Sequence, residues 1–373
     1  EWRDTVGDPD RRKPFRAWGG LQPTGPGLEE IVQLCRQVGA EPLMCVRFSR
    51  RTPRDAADEV QYFNGAADTP MGKLRARNGH RKPYAIKFWQ VGNERGGPEY
   101  EGKLADFCRA MRKADPDIKL FSSFPTGGVL RQAGGLLDYV CPHHYDCENL
   151  TGTENDIGAV GALLRKHAPK RPIKIAVTEW NTTAGDAGPR RARLWSLENA
   201  LACARYHNLL HSHADAVEIA NRSNLTNSFC SGIIQTDNRR LFKTPTYYAQ
   251  QLYATLAGNR PLKIDSAVPP SLGPDFSATL SPRGDAVILF AVNPGLKEIS
   301  RTLDLSAFGG RGRQLAVWTL ADRKQAGEPD VANRFAEPER VVPVTSKFRA
   351  PAACFAYRFP ALSLTVLRWP VAK

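Results

Sequence analysis

From about residue 28 the chain alternates between stretches with apolar residues at helical spacing and short, continuous apolar runs. Leu28, Ile31, Val32, Leu34, Cys35 and Val38 share one helical face that closes at Gly39, and the run Pro42 to Phe48 follows as a buried strand. The same rhythm predicts strands over Ala85 to Val91, Ile118 to Ser123, Leu137 to Pro142, Ile173 to Thr178 and Ala216 to Ala220. Helical stretches such as Lys103 to Ala114 and Ile157 to His167 separate them. Strands joined by helices pair in parallel, because a crossover helix returns the chain to the same end of the sheet. Their spacing of roughly 20 to 45 residues, with no Gly-rich phosphate loop after an early strand, predicts (β/α)8-barrel units over an open dinucleotide-binding sheet.

Past a helix around Thr246 to Ala257 the texture changes. Gly258-Asn259-Arg260-Pro261 punctuates the chain, and the short runs Val287 to Val292, Gln314 to Thr319 and Leu362 to Arg368 read as antiparallel strands. The expected organisation is a (β/α)-barrel domain over residues 1–260 and a β-sandwich over residues 261–373.

Composition narrows the function classes. At 42% hydrophobic and 24% charged residues the chain is ordinary for a globular protein, and no apolar run approaches the roughly 20 residues a membrane-spanning helix needs. The formal charge of +14 raises the question of an acidic partner, but the basic residues fall in scattered pairs such as Arg50-Arg51, Arg190-Arg191 and Arg239-Arg240. No basic helix or nucleic-acid module accompanies them, so a solvated Arg-rich surface, or an anionic polysaccharide as partner, is expected before nucleic acid.

Cys35, Cys45, Cys108, Cys141, Cys147, Cys203, Cys230 and Cys354 contain no CxxC pair, and buried free thiols are expected, with a Cys141–Cys147 bridge as the alternative. A reducing compartment, the cytoplasm before secretion, fits that reading. Asn-x-Ser/Thr sequons at Asn149, Asn181, Asn221 and Asn224 argue the other way, but glycans on Asn181 and Asn221 are expected to block the catalytic face.

The chemistry is carried by two acidic residues. Barrel enzymes gather reactive groups where strands end, so an acid just past an apolar run outweighs one on a helix face. Glu94 ends the run Lys87 to Val91 through Gly92-Asn93, and Glu179 ends the run Ile173 to Thr178 and precedes Trp180-Asn181. Two carboxyl groups flanking one sugar are what glycosidic cleavage requires: one donates a proton to the leaving oxygen, and the other attacks or activates water.

A strand-end Gly92-Asn93-Glu94 followed by a strand-end Glu179-Trp180-Asn181 resembles glycoside hydrolase clan A, and more narrowly family 51, the α-L-arabinofuranosidases. The resemblance extends over Trp2 to Gly7, Ala17-Trp18, Cys35 to Pro42, Asp138 to Tyr145, Leu289 to Asn293 and Leu364 to Arg368. It implies a retaining hydrolase with Glu94 as general acid/base and Glu179 as nucleophile, working without metal or organic cofactor on a carbohydrate substrate.

The same resemblance implies that Asn93 binds the sugar 2-hydroxyl and that the Tyr145 hydroxyl orients the nucleophile. His143 donates to a carboxylate or serves the fold. Trp180 and Trp89 stack on sugar or pack inside. Asn224 stands near the place of a sugar-binding Gln, and Thr24 near that of a sugar-contacting Asn, two departures that bear on specificity. Endoglucanase or β-xylosidase action, and a carbohydrate-binding protein without catalysis, remain alternatives. The six strands resemble barrel strands three to eight, and the two before them are not in this sequence. A truncated chain, or a wall supplied by another segment or by association of copies, is therefore expected.

Overall fold

The structure is a computed structural model that describes residues 1–17, 19–183, 189–227, 232–266, 274–309 and 314–371. Two compact units make up the chain: residues 1–142 with 159–176, and residues 143–158 with 177–373. Trp18 and Cys230 lie outside the described residues, as do the side chains of Arg190 and Arg191.

In the first unit the strands Leu43–Val46, Phe88–Val91, Lys119–Phe121 and Tyr139–Val140 pair in parallel in that order. Tyr139 and Val140 then pair with Lys174 and Ile175, the start of the Lys174–Trp180 strand. The intervening helices begin at capping signals. Thr52, Thr69 and Thr126 each accept a hydrogen bond from the backbone N–H three residues on, and Pro53 and Pro70 fill first-turn positions whose N–H has no helical partner. For the Pro53–Asn64 and Pro70–Arg77 helices the sequence signal is the Thr-Pro pair at each start. Pro98–Ala114 buries Tyr100, Leu104, Phe107, Cys108 and Met111, one helical stripe.

The strands are shorter than their apolar runs. Ile86 is buried but not in the ladder, because the Asn64 side chain takes its backbone groups: Ile86 N donates to Asn64 Oδ1 (2.7 Å) and Asn64 Nδ2 donates to Ile86 O (2.8 Å). Asp138, at the head of the Leu137 to Pro142 run, accepts Leu120 N through its side chain (2.9 Å) and pairs with Arg112 (2.6 Å), while its backbone N–H donates to Leu120 O (2.9 Å); the strand itself is Tyr139–Val140.

In the second unit His143–His144 pairs in parallel with the end of the Lys174–Trp180 strand, His143 beside Glu179 and His144 beside Trp180, and Val217–Arg222 pairs with that same strand. The C-terminal part holds a six-stranded sheet in the order Arg260–Leu262, Asp275–Leu280, Ala286–Asn293, Ser363–Pro370, Gln314–Asp322 and Val341–Arg349, with antiparallel neighbours throughout. Ile299–Asp304 and Cys354–Phe359 form a separate antiparallel pair.

Every residue of Ala286–Asn293 is buried, and its alternation feeds two cores. Ala286, Ile288, Phe290 and Val292 pack with Leu197, Leu201, Leu252 and Tyr253 of the helices Leu197–Ser212 and Pro245–Leu256. Val287, Leu289 and Ala291 pack with Phe355, Phe359 and Trp369. A strand covered on both faces has no reason to alternate with polar residues, which is why this segment reads as an unbroken apolar run. Among the described residues no helix is long and apolar enough to cross a membrane.

Of the seven described cysteines all are free and four are buried: Cys108, Cys141, Cys147 and Cys203. Cys141 and Cys147 are therefore not bridged. Asn181 is 1% exposed, with both ends of its amide engaged, so this sequon has no room for a glycan.

Candidate active site

Glu94 lies in the first unit, on the turn that follows Phe88–Val91. Gly92 opens that turn with φ of 73°, and a Cβ there would meet Phe48 Cβ at 3.1 Å, so only glycine suits both the backbone and the space. Its N–H donates to Val46 O (2.8 Å) and its carbonyl accepts from Gln90 Nε2 (3.0 Å). Glu94 itself takes φ of 49°, the left-handed region, which costs a non-glycine residue about 1–2 kcal/mol.

The turn is held from below. Tyr100 Oη donates to Val91 O and accepts from Ser123 N, both at 2.7 Å, while Ser123 Oγ accepts from Arg95 N (2.7 Å). Glu94 and Asn93 thus project from a fixed turn and are exposed. Trp89 is fully buried beside them in the chain, its Nε1 donating to Ile86 O (3.0 Å), and belongs to the core. Thr24 is buried too, its hydroxyl 3.4 Å from Lys13 O, in the wall of a cavity of about 600 Å³ that Trp2, Phe15, Val46 and Glu59 also line.

Glu179 lies in the second unit, at the penultimate position of Lys174–Trp180, and its side chain is 28% exposed. The parallel register sets His143 beside it, with His143 Nδ1 at 3.6 Å from Glu179 Oε2 and Nε2 at 3.4 Å from Thr178 Oγ1. Tyr145, two residues beyond His143, donates its phenolic O–H to Glu179 Oε1 in a short hydrogen bond. Ser223 Oγ lies 3.0 Å from Tyr145 Oη. The structure thus brings together Glu179, His143 and Tyr145 of the sequence-derived set and adds Ser223. The only local signal for Ser223 was its position just past a strand run.

Trp180 points the other way. It is fully buried, with ring centroids 4.7 Å from Tyr206 and 5.3 Å from His207. His144, to which the sequence reading gave no role, is buried between Tyr206 Oη at 2.7 Å from Nδ1 and Asp156 Oδ2 at 3.0 Å from Nε2. These contacts pin the strand pair that carries the nucleophile candidate. Asn224 is exposed, one residue past Ser223.

A carboxylate at a strand end with one oxygen held by a phenol is fixed in orientation, a condition for an oxygen nucleophile. Sequence profiles agree with that chemistry: residues 1–157 match the Alpha-L-arabinofuranosidase 1 domain and residues 178–363 the Alpha-L-arabinofuranosidase C-terminal domain. The chain belongs to glycoside hydrolase family 51, the α-L-arabinofuranosidases.

Within this family it is 26% identical to the probable alpha-L-arabinofuranosidase C of Aspergillus clavatus, over 99% of this chain and 82% of the relative. It is also 26% identical to an intracellular exo-alpha-(1->5)-L-arabinofuranosidase of Streptomyces lividans, over 92% of this chain and 60% of that protein. The family fold is seen in the arabinose complex of the Thermotoga maritima alpha-L-arabinofuranosidase, which matches with a TM-score of 0.88 at 23% identity, over 99% of this chain and 84% of that one. The fold class is accordingly that of a family 51 (β/α)8 barrel with a C-terminal β-sandwich.

Proposed function

We propose that this glycoside hydrolase removes terminal α-L-arabinofuranosyl groups from plant-type polysaccharides or oligosaccharides with retention at the anomeric carbon. The observation that carries the reading is the Glu179 carboxylate at its strand end, held by the Tyr145 phenol. In the first step a Glu179 oxygen attacks the anomeric carbon, the bond to the leaving oxygen breaks, and Glu94 passes its proton to that oxygen. The Glu94 carboxylate then takes a proton from water, the water oxygen attacks the same carbon, and the Glu179 ester is released. Asn93 is the proposed donor to the sugar 2-hydroxyl, His143 a second donor at Glu179, and Asn224 a contact on the glycone. Trp180 enters as packing support for the nucleophile strand, given its burial.

The exo-acting mode is supported by similarity to the Streptomyces relative, an intracellular exo-arabinofuranosidase, as is an intracellular setting, with which the free cysteines agree. The partner is a carbohydrate, with no part assigned to nucleic acid or membrane; self-association is to be checked by mass in solution. The proposed domain division at residues 260 and 261 is supported by the start there of the six-stranded antiparallel sheet.

The test is an assay of the chain on aryl α-L-arabinofuranoside, β-xyloside and β-glucoside beside Glu179→Ala. Cleavage of the arabinofuranoside, lost in the variant, is expected. Failure to cleave any glycoside would overturn the enzyme reading, and full activity in Glu179→Ala would overturn the assignment of the nucleophile.

A further inference from the structure

Tyr145 is a single-proton donor, and what holds its proton in place is written into the contacts around it. A phenol carries one O–H, and an ionised carboxylate only accepts. With the Tyr145 proton given to Glu179 Oε1, the 3.0 Å contact between Tyr145 Oη and Ser223 Oγ has one consistent polarity: Ser223 donates and the phenol oxygen accepts. Reversed, the serine oxygen would draw the phenol proton away from the carboxylate.

The serine is fixed to the strand it serves. Ser223 N donates to Trp180 O (3.1 Å), and Ser223 O accepts from Asn181 Nδ2 (2.9 Å), so its backbone is tied to the two residues that follow Glu179. Asn181 is buried, and its Oδ1 accepts from Thr182 N (2.9 Å) and Arg222 Nη2 (3.1 Å), which sets the orientation of the amide. The hydroxyl is thus carried on a backbone clamped to the nucleophile's own strand while its side chain reaches the nucleophile's donor.

From this geometry we infer that Ser223 is a positioning residue for the reaction: its hydroxyl commits the Tyr145 proton to Glu179 and so sets the orientation of the nucleophile. Hydrogen bonds in series polarise one another, so the Tyr145 to Glu179 bond is stronger for being backed by a donor. Ser223 acts through Tyr145, and an effect of its removal must therefore pass through that phenol. The inference rests on the reading of Glu179 as nucleophile.

The experiment is a double-mutant cycle of Ser223→Ala and Tyr145→Phe, with kcat and KM measured on an aryl α-L-arabinofuranoside and melting recorded for every variant. In the wild-type background Ser223→Ala is expected to lower kcat about 3- to 10-fold with KM within about twofold, the scale of one lost neutral hydrogen bond. In the Tyr145→Phe background the same change is expected to do nothing further, and Ser223→Thr, which keeps the hydroxyl, to restore most of the rate. An equal loss in both backgrounds, no loss in either, a loss confined to KM, or no rescue by Thr would overturn the inference. If Ser223→Ala does not fold, Ser223→Gly takes its place, since it lacks the hydroxyl as well. A wild-type chain that cleaves no glycoside defeats the nucleophile reading and this inference together, whereas an active chain indifferent to Ser223→Ala defeats this one alone.

Discussion

Glu94 and Glu179 both follow apolar strands, yet the two regions hold their carboxylates by different means. Glu94 stands exposed on a left-handed turn whose backbone is fixed by Gly92 to Val46, Arg95 to Ser123 and Val91 to Tyr100. Glu179 sits within a strand and is held by side chains that meet its own carboxylate, the Tyr145 phenol on one oxygen and His143 near the other. The difference fits the assigned work. A proton donor must reach leaving groups of many shapes, so its turn is fixed and its side chain projects; a nucleophile must meet one carbon along one line, so the side chain itself is fixed.

The largest expected effect falls on the fixed carboxylate. Glu179→Ala should lower kcat on any glycoside by at least about 10⁴-fold, since the covalent step is lost. Glu94→Ala should depend on the leaving group. On alkyl arabinofuranosides kcat should fall about 10²- to 10⁴-fold, whereas a dinitrophenyl leaving group, which departs without a proton, should restore most of the rate of the bond-breaking step. Equal losses on both substrates would remove the distinction between the two regions. Tyr145→Phe, read the same way, should cost about 10- to 100-fold in kcat for every leaving group, because it acts on the nucleophile alone.

Stability separates the regions too. Gly92→Ala forces a side chain into a left-handed backbone and against Phe48, and should destabilise by about 1–3 kcal/mol, measured by denaturant unfolding. The pH dependence of melting is tested at one buried group in each unit, and these two groups carry opposite signs. In the first, burial pushes the Glu59 carboxyl up to about 8 from an ordinary value of 4.5. The folded chain keeps a proton that the unfolded chain releases, so this contribution is full below pH 4.5 and is lost as pH rises through about 8.

In the second unit, burial holds His207 down to about 3 from 6.5, so the unfolded chain takes up a proton the folded chain refuses. That contribution is present above pH 6.5 and is lost as pH falls towards 3. Glu59→Gln should flatten the alkaline side of the melting profile and leave the acid side alone. A change on the acid side instead would mean that the assignment to Glu59 is wrong.

Much of this was legible in the sequence. The apolar runs located six of the seven described strands of the barrel sheet and missed His143–His144; one end is trimmed where the Asn64 side chain takes over a ladder position, an exchange no periodicity reveals. Three of the eight described C-terminal strands were legible, because Ala286–Asn293, Gln314–Asp322 and Ser363–Pro370 are long and apolar enough to stand out. Glu94 and Glu179 stood out as candidates by strand-end position together with the flanking Asn93, Trp180 and Asn181. Ser223 was not, since a serine after a strand is chemically unspecific and its partner is 78 residues away.

By itself, then, the sequence determined the repeating elements, the change from barrel-type to sandwich-type texture and the carboxylates at two strand ends. These follow from backbone geometry that repeats every 3.6 or 2 residues, so each can be read in a local window. Only the tertiary structure decided that His143 lies beside Glu179, that Ser223 meets the Tyr145 phenol, that Trp180 turns inward and that Ala286–Asn293 is buried on both faces. Those meetings depend on register and packing between segments far apart in the chain, and a local window holds no record of which distant side chain will fill the space beside it.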